Sequence, residues 1–124
     1  MLGKLFEVES RAGARPEHRI LRLSGPVNLE TVPEFLRVVR AETALVVILD
    51  FSGVPYIDSA GVGSLVQTYV SFRRAERRVA LVGFNERARA VLEVTRVSSV
   101  LPLYATTAAA EDHLAEKSRA HAGS

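Results

Sequence analysis

Side-chain chemistry in this chain concentrates at Asp58-Ser59-Ala60-Gly61-Val62-Gly63, where a hydroxyl stands between a carboxylate and two glycines. A serine in that setting has three chemical uses: to attack a carbonyl, to help bind a phosphate, or to receive one. Attack at a strand-to-helix nucleophile elbow needs glycine two positions before the serine, and Ile57 stands there. His18, His113 and His121 lie in no local sequence that suggests a triad with Ser59. They are also too scattered to make a zinc site. A dinucleotide-type glycine loop fails at Val66, and no Gly-Lys-Ser/Thr run exists for a P-loop. Receipt of a phosphate is the third use. From Phe51 to Phe72 the only charged residue is Asp58, in a chain that is 24% charged, so a phosphate on Ser59 would change the local charge outright. The plainer role is that of a cap, with Ser59 accepting a first-turn N–H.

Either role requires a helix mouth, and the flanking sequence supplies one. Leu45-Val46-Val47-Ile48-Leu49 leads in, and an amphipathic segment from Ala60 to about Arg74 leads out. The reading is strand, short loop, helix. A helix mouth offers unpaired N–H groups and the positive end of a dipole, both of which favour oxyanions. The run Ala44 to Leu49 is almost uninterruptedly apolar, as in a parallel strand covered on both faces. In the helix, Val62, Leu65, Val66, Tyr69 and Val70 form one stripe, with Ser64, Gln67, Thr68 and Ser71 largely away from it.

Upstream, Leu5-Phe6-Glu7-Val8-Glu9 alternates as a half-buried strand, Gly13-Ala14-Arg15-Pro16 is turn-like, and His18 to Leu23 is a second strand, giving a hairpin. Thr31-Val32-Pro33-Glu34 has capping-box spacing at the start of a helix that ends near Glu42. Downstream, Arg78 to Val82 is a strand, Asn85 caps a helix through Leu92, and Leu101-Pro102-Leu103-Tyr104 is a short strand with an edge character set by its proline. A last helix spans Thr106 to Lys117, and Ser118 to Ser124 reads as a frayed tail. The order β-β-α-β-α-β-α-β-α predicts a single α/β domain over residues 1–117, a mixed sheet with an initial hairpin and about four helices packed mainly on one face.

At 124 residues with 48% hydrophobic content, the chain is long enough for one sizeable core. It has no cysteine, which excludes disulfide and thiolate chemistry. No apolar run approaches the roughly 20 residues a membrane span requires. Met1 to Lys4 begins no signal-peptide apolar region, so a cytoplasmic protein is expected. Net charge is +2, with the bases gathered at Arg73-Arg74-Ala75-Glu76-Arg77-Arg78. A cation cluster of this kind suits a helix C-terminus. A nucleic-acid or phosphate patch is the alternative, but the cluster has no interleaved aromatics of the kind that stack on bases. Asp50, at the end of the apolar strand, occupies the place of the phosphorylated aspartate in two-component receiver domains. A receiver also needs an acidic pair after its first strand and a lysine on a later one, whereas here a hairpin follows the first strand and Gly83 follows Val82. Asp50 is expected to serve loop N–H groups instead.

The run Leu49-Asp50-Phe51-Ser52-Gly53-Val54-Pro55-Tyr56-Ile57-Asp58-Ser59-Ala60-Gly61-Val62-Gly63 resembles the signature of STAS domains, particularly the bacterial anti-sigma factor antagonists. The resemblance extends along nearly the whole chain: Gly25-Pro26-Val27-Asn28 at the family's Gly-x-x-Asp turn, Thr31 to Glu34 at its helix start, and Val91 to Thr95 at its late helix before a Leu-Pro strand. Asn28 stands where the family has an acidic residue, and Arg96 where relatives often carry glycine. The resemblance implies a non-enzymatic partner-switching protein without a cofactor or bound metal. Ser59 would be phosphorylated by an anti-sigma factor that is also an ATP-dependent serine kinase, and a PP2C-type phosphatase would reset it. The unphosphorylated form would bind the anti-sigma factor and free a sigma factor, without itself contacting nucleic acid. Asp58, Ser59, Gly61, Ser64 and Gln67, with Asn28 in the adjoining turn, are expected on or near the docking surface. STAS domains also serve as structural subunits of lipid-transport and stress-sensing complexes; there the stripe around Ser64 and Gln67 would be a permanent interface.

Overall fold

The structure, a computed structural model, describes residues 5–122, with 116–122 described as helical backbone only. The readings of Met1 to Lys4 and of Gly123 and Ser124 lie outside the described residues. Along the chain the elements are β1 (Glu7–Ala12), β2 (His18–Ser24), α1 (Val32–Ala41), β3 (Val46–Gly53), α2 (Ser59–Arg74), β4 (Arg78–Val82), α3 (Glu86–Val94), a 3-10 turn (Val97–Ser99), β5 (Leu103–Tyr104) and α4 (Thr107–Ala122). One sheet runs in the order β1-β2-β3-β4-β5. The hairpin β1–β2 is antiparallel and every later pairing is parallel, so the sheet is mixed as the element order predicts.

The alternation of β3 explains the layering. Val47, Leu49 and Phe51 join Leu21, Leu23, Val79 and Leu81 in the larger core, beneath α1, α2 and α3. Val46 and Ile48 point the other way and join Ile20, Ala80 and Val82 under Ala110 and Leu114 of α4. All of these are buried, each contributing roughly 1.5–3 kcal/mol if a large aliphatic side chain. Hence three helices cover one face and one covers the other. Phe51 stacks on Phe84 with ring centroids 4.3 Å apart, which closes the core beneath the β3–α2 loop.

Several boundaries differ from the sequence reading. β1 begins at Glu7 and runs to Ala12, because the pairing from Glu7–Ser24 to Ala12–Arg19 carries the hairpin to its turn. Leu5 precedes the strand and is exposed. α4 is helical through Ala122, past Lys117; no glycine or proline interrupts it before Gly123, and alanine and arginine propagate helix well. On its inner side, Glu111 accepts from the ring Nδ1 of the buried His18 at 2.9 Å and from Ala14 N–H at 2.6 Å, tying α4 to the hairpin. His18 is thereby committed on the face of the sheet opposite α2.

The capping box at α1 is also absent. Thr31 occupies the N-cap position but makes no side-chain cap bond. Its buried hydroxyl donates to Pro26 O at 2.7 Å and accepts Asn28 N–H at 3.0 Å, so it is used to fold the preceding turn. Glu34, the other half of the expected box, pairs with Arg37 one turn on.

Candidate functional site

Two loops meet at the start of α2. One is Val27 to Thr31, between β2 and α1; the other is Val54 to Asp58, between β3 and α2. Val27 and Ile57 form a single parallel bridge, with Val27 N–H donating to Tyr56 O and Asp58 N–H donating to Val27 O. Asn28 completes an Asx turn: its Oδ1 accepts from Glu30 and Thr31 N–H, both at 3.1 Å. Its amide nitrogen donates to the Tyr56 hydroxyl at 2.9 Å. The amide oxygen thus closes its own turn, while the amide nitrogen joins the two loops. From the far side, Asn85 at the N-cap of α3 accepts Ala88 N–H and donates to Pro55 O, as its expected capping role requires, and holds α3 against the same loop.

Asp58, not Ser59, is the N-cap of α2. Its backbone is extended, and its carboxylate accepts Gly61 N–H at 2.9 Å through Oδ1 and Leu29 N–H at 3.1 Å through Oδ2. One side chain thus ends the helix and anchors the neighbouring loop. Ser59 is the first helical residue; it is exposed, and its hydroxyl makes no hydrogen bond among the described residues. Because α2 starts here, the N–H groups of Ser59 and Ala60 have no carbonyl partner within the helix. The site presents a free hydroxyl, adjacent free amides, and the positive end of a 16-residue helix. Such a mouth accommodates added negative charge without unfolding.

Gly61 is required where it stands. A Cβ there would lie 2.2 Å from Val27 O and 2.6 Å from Ile57 Cγ2, so only glycine lets the helix start this close to the bridge. Gly63, by contrast, would meet nothing within 4 Å.

The expected docking residues separate into two groups. Ser59 and Gln67 are exposed and Asp58 and Asn28 are half-buried, but Gly61 and Ser64 are buried. Ser64 is turned inward, where its hydroxyl donates to Gly61 O at 2.6 Å. Thr68, one turn on, is also buried, whereas Val70 is 39% exposed. The stripe predicted from Val62 to Val70 is rotated because α2 packs against α1 as well as the sheet. The second contact draws in small polar residues on the α1 side and leaves Val70 outward. The open face of α2 is accordingly Ser59, Gly63, Gln67, Val70 and Ser71, with Arg73 and Arg74 exposed in the last turn.

Three neighbours of the site were not expected from the sequence. Leu29, 75% exposed, is presented beside Asp58 by its tethered N–H. Tyr56 receives the Asn28 amide, and the Arg87 guanidinium of α3 lies 5.1 Å from its ring centroid. Only the folding of three separate segments onto one another assembles them. Asp50 accepts Ser52 N–H at 2.9 Å, the loop-capping role expected of it. Among the described residues no cluster of His, Asp or Glu could hold a metal, and no helix is long and apolar enough to cross a membrane.

An anti-sigma-B factor antagonist of Listeria monocytogenes is 27% identical over 90 residues, covering 70% of this chain and 79% of that protein. The crystal structure of a putative anti-sigma factor antagonist from Thermotoga maritima superposes with a TM-score of 0.77 at 24% identity, over 86% of this chain and 92% of that one. The anti-sigma factor antagonist SpoIIAA in its unphosphorylated form shares the fold with a TM-score of 0.65 at 18% identity, over 93% and 96% of the two chains. The STAS domain model matches residues 9–110, most of the sheet and the whole of the α2 site, and the chain belongs to the STAS domain family.

Proposed function

We propose that this STAS protein, similar to anti-sigma factor antagonists, works as a phosphorylation-controlled partner switch with Ser59 as its phosphosite. The observation that carries the proposal is the division of labour at the mouth of α2: Asp58 performs the capping, which leaves the Ser59 hydroxyl exposed and unengaged. The unphosphorylated protein docks the open face of α2 on an anti-sigma factor with serine kinase activity and so releases a sigma factor. Transfer of a phosphoryl group to Ser59 adds between one and two negative charges, by the usual second ionisation of a phosphate monoester. The added charge sits beside Asp58, on a helix face without other charges from Phe51 to Phe72. Within the free protein it meets the amides of the helix mouth; in the complex it brings desolvation and like-charge repulsion. A PP2C-type phosphatase returns the protein to its binding form, and no catalytic step belongs to this chain.

The test is mass spectrometry of the protein after incubation with its cognate kinase-type anti-sigma factor and ATP, with Ser59→Ala as control, alongside binding of Ser59→Asp. Phosphate on Ser59 alone and at least about tenfold weaker binding of Ser59→Asp, roughly 1.4 kcal/mol, are expected. Modification elsewhere, or a Ser59→Asp variant that binds as tightly as the wild type, refutes the proposal.

A further inference from the structure

The basic cluster at the far end of α2 takes no part in the switch. In the fold it borders a groove of about 590 Å³ lined by Arg73, Arg77 and Arg78, with Tyr69 and Tyr104 among its walls. The groove exists because β5 pairs only with Leu81 and Val82, which leaves the first three residues of β4 with no strand beside them on that edge. Its volume falls within the roughly 300–1,000 Å³ usual for small-molecule sites. No aromatic is interleaved in the cluster, but two stand beside it in space: Tyr69 from one turn earlier in α2, and Tyr104 from β5.

The charges there are not balanced. None of the three arginines has a carboxylate within ion-pair distance among the described residues, and Glu76 is the only acid in the lining. Arg77 is held in place, donating to Glu42 O at 2.8 Å and Ala44 O at 2.7 Å with its guanidinium 4.1 Å from the Phe72 ring centroid. Neutral carbonyls orient it without cancelling its charge. Arg73 reaches the Tyr69 hydroxyl at 3.3 Å. Arg78 is the telling member: its Nη1 is buried with no hydrogen-bond partner. The side chain lines the groove, and no described carboxylate lies within ion-pair distance of it.

We propose that the groove binds a small phosphate ester carrying a flat organic group, the phosphate on Arg78 and Arg73 and the organic group against Tyr69 and Tyr104. Among the described residues three guanidinium groups stand against one carboxylate, an excess that a phosphate dianion matches, and guanidinium is the cation best shaped for phosphate oxygens. The planar faces of two tyrosines accept a flat group at low entropic cost. A nucleic acid would instead need a basic stripe that neutralises several successive phosphates, which one groove with three arginines does not provide. The groove and Ser59 lie at opposite ends of the 16-residue α2, about 24 Å apart at 1.5 Å per residue. The two sites can therefore be tested independently.

The experiment is titration of the whole chain with phenyl phosphate, inorganic phosphate and phenol, followed by calorimetry and by amide chemical shifts. Phenyl phosphate should bind saturably with shifts confined to the groove, at least about tenfold more tightly than inorganic phosphate, and phenol should not bind measurably. Arg78→Gln should weaken phenyl phosphate at least about tenfold, with Arg78→Lys intermediate and Ser59→Ala unchanged. Arg73→Gln, at an exposed position, serves as the second variant if Arg78→Gln does not fold, and should also weaken binding. No saturable binding at millimolar ligand, binding that both glutamine variants retain, shifts scattered over the surface, or equal binding of a DNA duplex would each overturn the proposal.

Discussion

Replacing Asp58 and Ser59 one at a time separates a structural role from a signalling one at adjacent positions. Asp58→Ala removes the cap bond to Gly61 N–H and the bond that holds Leu29 N–H. Loss of an N-cap costs about 1 kcal/mol, and the second bond, at an exposed position, adds about another. The expected destabilisation is therefore about 2 kcal/mol. An unfolding entropy of about 2.1 cal/mol/K per residue gives roughly 0.26 kcal/mol/K for the 124 residues, so the melting temperature should fall by about 8 °C. Ser59→Ala removes a hydroxyl with no partner from an exposed first-turn position, where alanine is also the better helix former. Its stability should lie within about 0.5 kcal/mol of the wild type. Urea denaturation at constant m-value provides the measurement. If Ser59→Ala cost as much as Asp58→Ala, Ser59 would be the working cap and the division of labour beneath the proposed switch would be wrong.

Three further outcomes follow from the same coordinates. Gly61→Ala forces a Cβ to within 2.2 Å of the Val27 carbonyl and should cost at least about 2 kcal/mol, whereas Gly63→Ala meets nothing and should stabilise α2 by up to about 1 kcal/mol; equal effects in denaturant titration would contradict the geometry. Arg96 adopts a left-handed conformation with φ of 62° immediately after α3, the conformation glycine adopts readily, so Arg96→Gly should raise stability by about 1 kcal/mol; a loss of stability would count against it. Burial raises the pKa of Tyr104 above the usual tyrosine value of 10.0, where its hydroxyl meets His113 Nδ1. Its stabilising contribution is fully present below the unfolded tyrosine pKa and is lost as the pH rises through the folded one. Tyr104→Phe should abolish a phenolate absorbance step above the usual tyrosine range; persistence of that step would refute the assignment.

Much of this molecule was legible without coordinates because the signals concerned are local. An apolar run with alternating faces specifies a strand covered on both sides, and β3 is such a strand. An aspartate before a serine and a glycine marks a helix mouth, and α2 begins there. The element order from hairpin to last helix follows from periodicity and breakers, and the family signature spans the same residues that build the site.

What the sequence left open were competitions that only tertiary contacts resolve. Asp58 and Ser59 are both good caps, and the backbone entering from the Val27–Ile57 bridge puts the carboxylate in range of Gly61 N–H. Thr31 has the spacing of a capping box, yet its hydroxyl is taken by Pro26 O and Asn28 N–H, partners defined by the turn's closure rather than by helical spacing. Ser64 and Thr68 read as an outward face, but the packing of α1 on α2 widens the buried arc to include them. The arginine cluster has no aromatic interleaved in it, and Tyr104 reaches it only from the last strand, whose short pairing leaves the groove open. In each case the side chain had more than one satisfactory partner, and the choice belonged to whichever segment the fold brought within hydrogen-bonding or packing distance.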